Sequence, residues 1–157
     1  MRLTIQRVKS ASVTVENELV GKIGYGILVL LGFSKHDTDK NIKKAAQKML
    51  KIRLWDTIKD ETKENQKIKS WATNLVQNKY DILVVSQFTL YGYMNGNKPD
   101  FHNSMKSEQA KVYYEEFIQI LRDSYPNGNI QTGAFGQMMN VSLENDGPVT
   151  FNMEYEG

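Results

Sequence analysis

A chain of 157 residues fits one domain with room for a real core, and its apolar and charged fractions are those of an ordinary globular protein. The net charge of +2 is too small to mark a strong nucleic-acid binder by itself. The absence of cysteine excludes disulfides, thiolate metal sites and cysteine nucleophiles together.

The chain opens as strand. Leu3, Ile5 and Arg7 alternate with Thr4, Gln6 and Val8, and Ala11, Val13 and Val15 continue the pattern. Glu16-Asn17-Glu18 suits a turn, with Leu19 to Ile23 returning as a hairpin strand. Ile27 to Phe33 is apolar on both faces, as in a buried central strand. Its apolar run, like every other in the chain, is too short to span a bilayer, and the first residues lack signal-peptide anatomy. A soluble, cytoplasmic protein is expected.

Asp37 or Thr38 can cap a helix whose apolar stripe is Ile42, Ala45, Ala46, Met49 and Leu50. Ile52 to Trp55 reads as a short strand, and the polar, lysine-rich stretch from Asp56 to Ser70 as a long loop. Lysines crowd the region between Lys40 and Lys79, where a polyanion can dock or where a solvated face simply meets water. Tyr80 to Phe88 reads as a second buried strand and Tyr93 to Ser104 as a loop. Ser104 or Ser107 can cap a second helix with Ala110, Tyr113, Tyr114, Phe117, Ile118 and Leu121 on one face. Ile130 to Thr132, Met138 to Leu143 and Val149 to Tyr155 close the chain as strands, with a turn at Asn145-Asp146-Gly147-Pro148. No repeat or linker divides residues 1–157, so the expectation is a single α/β domain with a mixed sheet and two main helices.

Four features carry candidate chemistry. Ser86, Gln87, Phe88 and Thr89 break the second buried strand into polar groups. Neither a G-x-S-x-G elbow nor a metal-binding histidine spacing accompanies them, since His36 and His102 stand far apart. A triad of Ser86, His102 and Asp100 is conceivable, but nothing in the sequence aims the last two at the serine. Neutral side chains and strand-end amides can instead bind and polarise a carbonyl without a protein acid or base. Gly147-Pro148 offers a corner with little side chain, at the kind of turn where cis-proline occurs. Phe135 lies between glycines, either to stack on a nucleobase or to fill the core. Arg7 shares the phase of Leu3 and Ile5, so it either caps carbonyls or turns to water.

Two of these segments, Ser86-Gln87-Phe88-Thr89-Leu90 and Asn145-Asp146-Gly147-Pro148-Val149-Thr150, resemble the signature motifs of the D-aminoacyl-tRNA deacylases. "QRV", "SASVTV", "GILVLLGF", "KIRLW" and "GNKPDF" are similar to other parts of that family, so the resemblance runs along the whole chain. It implies an α/β fold of layered, barrel-like mixed and antiparallel sheets. It implies hydrolysis of the ester joining a D-amino acid, or glycine, to the 3′-terminal adenosine of tRNA, as proofreading without metal or cofactor. The partners implied are aminoacyl-tRNA and a second copy of the chain; membrane and DNA are not. Each site of the homodimer then lies at the interface. Ser86, Gln87, Phe88 and Thr89 line the pocket. Gly147 and Pro148, with Val149 beside them, form a cis corner that enters the partner's site and excludes L side chains. Arg7 braces the corner, and Phe135 and Met139 lie close to the adenosine and aminoacyl group. Chemistry falls to main-chain groups and the 2′-hydroxyl of the tRNA, or to Thr89 as nucleophile. Departures fall in Asn95-Gly96-Asn97-Lys98 and in the 56–70 loop, both possible backbone contacts to tRNA. The rival readings are a non-catalytic adenine-nucleotide or RNA-end binding module, and an esterase using Ser86 and His102.

Overall fold

The computed structural model describes residues 1–156. Strand β1 (Arg2–Val15) turns at Glu16-Asn17 into β2 (Glu18–Ile23). Both turn residues have positive φ, 47° and 67°, the geometry of a tight two-residue hairpin. β3 (Gly26–Gly32) leads to α1 (Asp39–Met49), which Thr38 precedes as N-cap. A short ribbon follows, β4 (Arg53–Trp55) with β5 (Thr73–Asn74), and the 56–70 stretch loops between them as expected. Next come α2 (Leu75–Asn78), β6 (Asp81–Ser86), the hairpin β7 (Tyr93–Asn95) and β8 (Lys98–Asp100), α3 (Ser107–Ser124), β9 (Ile130–Thr132) and β10 (Asn140–Glu154).

The main sheet runs β10-β1-β3-β6-β9, with β3, β6 and β9 parallel and the rest antiparallel. β1 is long enough to serve two neighbours on one side: Arg2–Val8 pairs with β3 and Ala11–Val15 with β2. The hairpin therefore folds over the back of β3 and β6, and the sheet curls into a barrel-like layer. Alternation along the strands feeds two cores. Ile27, Val29, Leu31, Ile82 and Val84 face the helices, with Phe117, Leu121, Ile42 and Met49. Leu28, Leu83 and Val85 face the folded hairpin, with Val8, Ala11, Val13 and Ile23. Burial on both faces is why these two strands read as unbroken apolar runs. Each such side chain contributes on the order of 2 kcal/mol of transfer free energy.

Four expectations change. The second buried strand stops at Ser86, and Phe88–Tyr91 coil into a 3-10 turn closed by the Leu90 amide on the Gln87 carbonyl. The Tyr93–Ser104 loop contains the β7–β8 hairpin, turned by Gly96 at φ +59°. α2 is an additional short helix, held by reciprocal Asn74 and Gln77 side-chain bonds to each other's amides. The last two strands are one strand, and the expected turn at Asn145 to Pro148 is a bulge within it.

Candidate active site

β3 and β6 end side by side, with Leu31 level with Ser86. The Gln87 amide still donates to the Leu31 carbonyl at 2.8 Å, and then the chain leaves the sheet. The 3-10 turn that follows is pinned from three sides. The Ser104 hydroxyl donates to the Phe88 carbonyl at 3.0 Å, Arg2 donates to the Leu90 carbonyl at 2.8 Å, and the Gly92 amide donates to the Thr89 carbonyl at 2.9 Å. The Phe88 ring is 57% exposed and meets Phe101 edge-on, centroids 5.0 Å apart. The Gln87 carboxamide donates to the Thr89 hydroxyl. Among the described residues, the Phe88 and Thr89 amides have no acceptor. This end of the sheet thus presents an exposed aromatic and free donors, with no ionisable group among its four residues.

The Gly-Pro corner lies on the sheet's other edge. Thr150 pairs with Gln6 and Asn145 with Val8, so Asp146 to Val149 bulge out opposite the single residue Arg7. Gly147-Pro148 is cis, Gly147 sits at φ +132°, and both residues are exposed. Arg7 holds the base of the bulge. Its Nε is 3.1 Å from the Asp146 carbonyl and 3.1 Å from the Asp146 carboxylate, and its guanidinium also donates to the Leu54 carbonyl. The Asn145 side chain accepts from the Val149 amide at 2.8 Å. Of the two readings its phase allowed, Arg7 thus caps carbonyls and does not turn to water.

The chain matches the D-Tyr-tRNA(Tyr) deacylase family over residues 4–154. It belongs to that family. It is 44% identical over 154 residues to a D-aminoacyl-tRNA deacylase of Drosophila melanogaster, covering 98% of this chain and 92% of that one. It is 43% identical to D-aminoacyl-tRNA deacylase 1 of Homo sapiens, covering 98% and 70%. A solved structure named c-Myc DNA Unwinding Element Binding Protein superposes with a TM-score of 0.88 at 43% identity, over all of both chains. The α/β, barrel-like fold is thus the one this deacylase family shares.

The other expected residues fall as follows. Phe135 is half-buried and tilts against Tyr114, centroids 5.4 Å apart, while the Tyr114 hydroxyl donates to the Val84 carbonyl at 2.7 Å. Met139 packs on the second core beside Val85, and a Cβ on Gly133 would come within 2.8 Å of its sulfur. Both side chains thus pack against the two cores. The esterase constellation does not form. Nδ1 of His102, two residues past β8, meets Asp100 at 2.7 Å and the Tyr93 hydroxyl at 2.8 Å, and no hydrogen bond joins it to Ser86 among the described residues. The His102 amide, and then its ring, hold the Asp100 carboxyl below its ordinary value.

Three residues were missed by sequence reasoning. Ser104 was read as a helix cap, whereas it holds the Phe88 carbonyl and Lys106 precedes α3. Phe101, at the end of the GNKPDF segment, supports Phe88 edge-on. Trp71, half-exposed at φ +56°, sits with its ring 5.9 Å from the Arg7 guanidinium and 6.0 Å from the Phe151 ring. An exposed tryptophan closing a polar loop was the available signal for it.

Proposed function

We propose that this chain hydrolyses D-aminoacyl-tRNA, and glycyl-tRNA by the same route, in a site shared between two copies of itself. That it is a D-aminoacyl-tRNA deacylase rests on family membership. The shared site rests on one observation: the corner and the polar strand end are both exposed, and within one chain they stand apart. Arg7 is level with Ile27 and hence Ile82, four residues short of Ser86, and β10 lies three strands from β6. At ~3.3 Å per residue and ~4.8 Å per strand, the two halves are on the order of 20 Å apart. A second copy supplies the missing half. β10 is a fifteen-residue edge strand with Leu143 and Phe151 exposed, a surface suited to pairing.

The chemistry needs no side-chain base. Water adds to the ester carbonyl, the free Phe88 and Thr89 amides receive the developing oxyanion, and the bond to the 3′ oxygen breaks. The neighbouring 2′-hydroxyl relays a proton to that oxygen. Donors placed in this way are each worth about 10²–10³ in kcat. Phe88 and Phe135 hold the adenosine and aminoacyl group, with Met139 beside them. Gly147 and Pro148, stiffened through Val149 and Arg7, set main-chain atoms against the substrate α-carbon. An L side chain overlaps them, a D side chain points away, and glycine fits.

Hydrolysis of D-Tyr-tRNA and L-Tyr-tRNA tests the activity; equal turnover of both refutes it, and tight binding without turnover leaves a binding module in its place. Co-expression of Phe88→Ala and Gly147→Val chains tests the sharing. Random pairing of two inactive variants gives one intact site in each mixed dimer, or roughly a quarter of wild-type activity. No recovery means that each chain builds its own site.

A further inference from the structure

The lysine-rich region separates in the structure into two surfaces of different character. The 56–70 loop carries Lys59, Lys63, Lys67 and Lys69 against Asp56, Asp60, Glu61 and Glu64, so it is electrically balanced. Residues 39–53, covering α1 and the start of β4, carry Lys40, Lys43, Lys44, Lys48, Lys51 and Arg53 against Asp39 alone. That is a net of +5 in a chain of net +2, so the remainder is −3.

All six of these cations are exposed, and among the described residues none has a carboxylate within ion-pair distance. The helix buries Ile42, Ala45, Ala46 and Met49, which forces Lys40, Lys44 and Lys48 into one line on the outer face with Lys43 beside it, and Lys51 follows just past the helix end. Lysines four apart repel and weaken the helix that carries them. α3 is built differently. It sets Lys111 and Arg122 among Glu108, Glu115, Glu116 and Asp123. The lysine face of α1 therefore costs folding stability, offset among the described residues by a single long contact of Lys44 over the Tyr155 ring at 6.0 Å.

The position of α1 gives that face a use. Its first turn lies at the end of the sheet where β3 and β6 terminate. Ser34, ahead of α1, bridges Ser104, and Ser104 holds the Phe88 carbonyl. The Lys35 amide bonds the Asn103 carbonyl in the same junction. The basic face thus starts beside the proposed pocket and runs away from it along an axis of ~16 Å.

We propose that this face of α1 binds the phosphate backbone of the tRNA whose 3′ end occupies the pocket, and that the 56–70 loop does not. The inference rests on the deacylase reading. Backbone contacts carry affinity and salt dependence without touching the reacting ester.

The test compares two triple variants with equal charge change. One is Lys40→Gln, Lys44→Gln, Lys48→Gln; the other is Lys59→Gln, Lys63→Gln, Lys67→Gln. Glutamine keeps helix propensity close to that of lysine, and melting curves confirm folding. The α1 triple is expected to raise KM for D-Tyr-tRNA about tenfold with kcat unchanged, and to reduce the slope of log(kcat/KM) against log salt by about 2. Turnover of 3′-O-D-tyrosyl-adenosine, which lacks the backbone, stays at the wild-type rate. The loop triple leaves all three quantities as they are. An equal effect from the loop triple, an unchanged salt slope in the α1 triple, or an equal loss on the adenosine ester overturns the proposal. If wild-type protein hydrolyses neither substrate, the deacylase reading fails, and salt-dependent binding of uncharged tRNA to the same variants still decides the surface.

Discussion

Replacing Arg7 tests the link between fold and chirality most directly. Its guanidinium serves three acceptors on two segments: the carbonyl and carboxylate of Asp146, and the carbonyl of Leu54. Hydrogen bonds to a charged group are worth about 1.5–3 kcal/mol each when sheltered. The Arg7 and Asp146 side chains are 17% and 28% exposed, so water replaces part of that loss in Arg7→Ala. A fall of about 3 kcal/mol in unfolding free energy is expected, or roughly 6–12 °C in melting temperature for a domain of this size. Arg7→Lys keeps the charge but loses the fork that reaches both segments, and about half that loss is expected. Function should separate the two effects. With its base released, the bulge from Asp146 to Val149 loses its fixed position, and hydrolysis of L-Tyr-tRNA should rise at least about tenfold relative to D-Tyr-tRNA, a change of ~1.4 kcal/mol in discrimination. Urea melts and paired D and L kinetics on Arg7→Ala and Arg7→Lys provide the measurements. A stability change under about 0.5 kcal/mol together with an unchanged D to L ratio would refute the bracing role, since ordinary surface substitutions behave in that way.

Gly147→Ala places a Cβ 2.7 Å from the Val149 side chain and 3.0 Å from its amide, at a φ of +132° that L residues rarely adopt; D-Tyr-tRNA hydrolysis should fall at least about a hundredfold, and near-wild-type kcat/KM would contradict the corner's role. Ser86→Ala and Thr89→Ala should each keep kcat within about tenfold, whereas a loss beyond about 10³ in Thr89→Ala with KM unchanged would make its hydroxyl the nucleophile. Phe101→Ala removes the edge-on support of Phe88, costing ~1 kcal/mol of stability and raising KM several-fold; unchanged KM would mean that Phe88 holds its position alone. Burial, above all, raises the Tyr114 hydroxyl above its ordinary value near 10. The sign follows from linkage: its contribution is complete below about pH 10 and declines above it, so Tyr114→Phe should cost ~1 kcal/mol at pH 7 and flatten the alkaline fall in stability.

Much of this fold was legible because burial writes itself into sequence. β3 and β6 are apolar on both faces since each lies between two cores. The stripes of α1 and α3 repeat at helical spacing since each helix buries one face. The misreadings share a cause. Asn145 to Pro148 has turn composition, but pairing on either side with the distant β1 keeps β10 a single strand and turns the segment into a bulge. Ser86 to Thr89 was visible as a break in a strand. That its carbonyls are held by Ser104 and Gly92 depends on contacts that no local pattern encodes. A tryptophan closing a polar loop could mark Trp71 as unusual, but its place beside Arg7 depends on the fold.

The arrangement divides recognition from chemistry. In the proposed mechanism no ionisable side chain lies between Ser86 and Thr89, so nothing there must change protonation for the ester to be cleaved. Main-chain donors cannot be tuned by pKa, and their effectiveness depends on position alone. This explains the fixing of the surrounding structure: three bonds on the 3-10 turn, two from Arg7 to Asp146 at the corner with a third tying Arg7 to Leu54, and the sheet between them. Charge is concentrated instead on α1, where it can attract a polyanion without perturbing the pocket. A backbone site tolerates many side chains on its substrate, because it reads the configuration at the α-carbon and little else. Selectivity among D-amino acids should therefore be weak and discrimination against L strong. A side-chain pocket gains only about 1–3 kcal/mol for each methylene it recognises, whereas overlap with fixed main-chain atoms has no comparable ceiling.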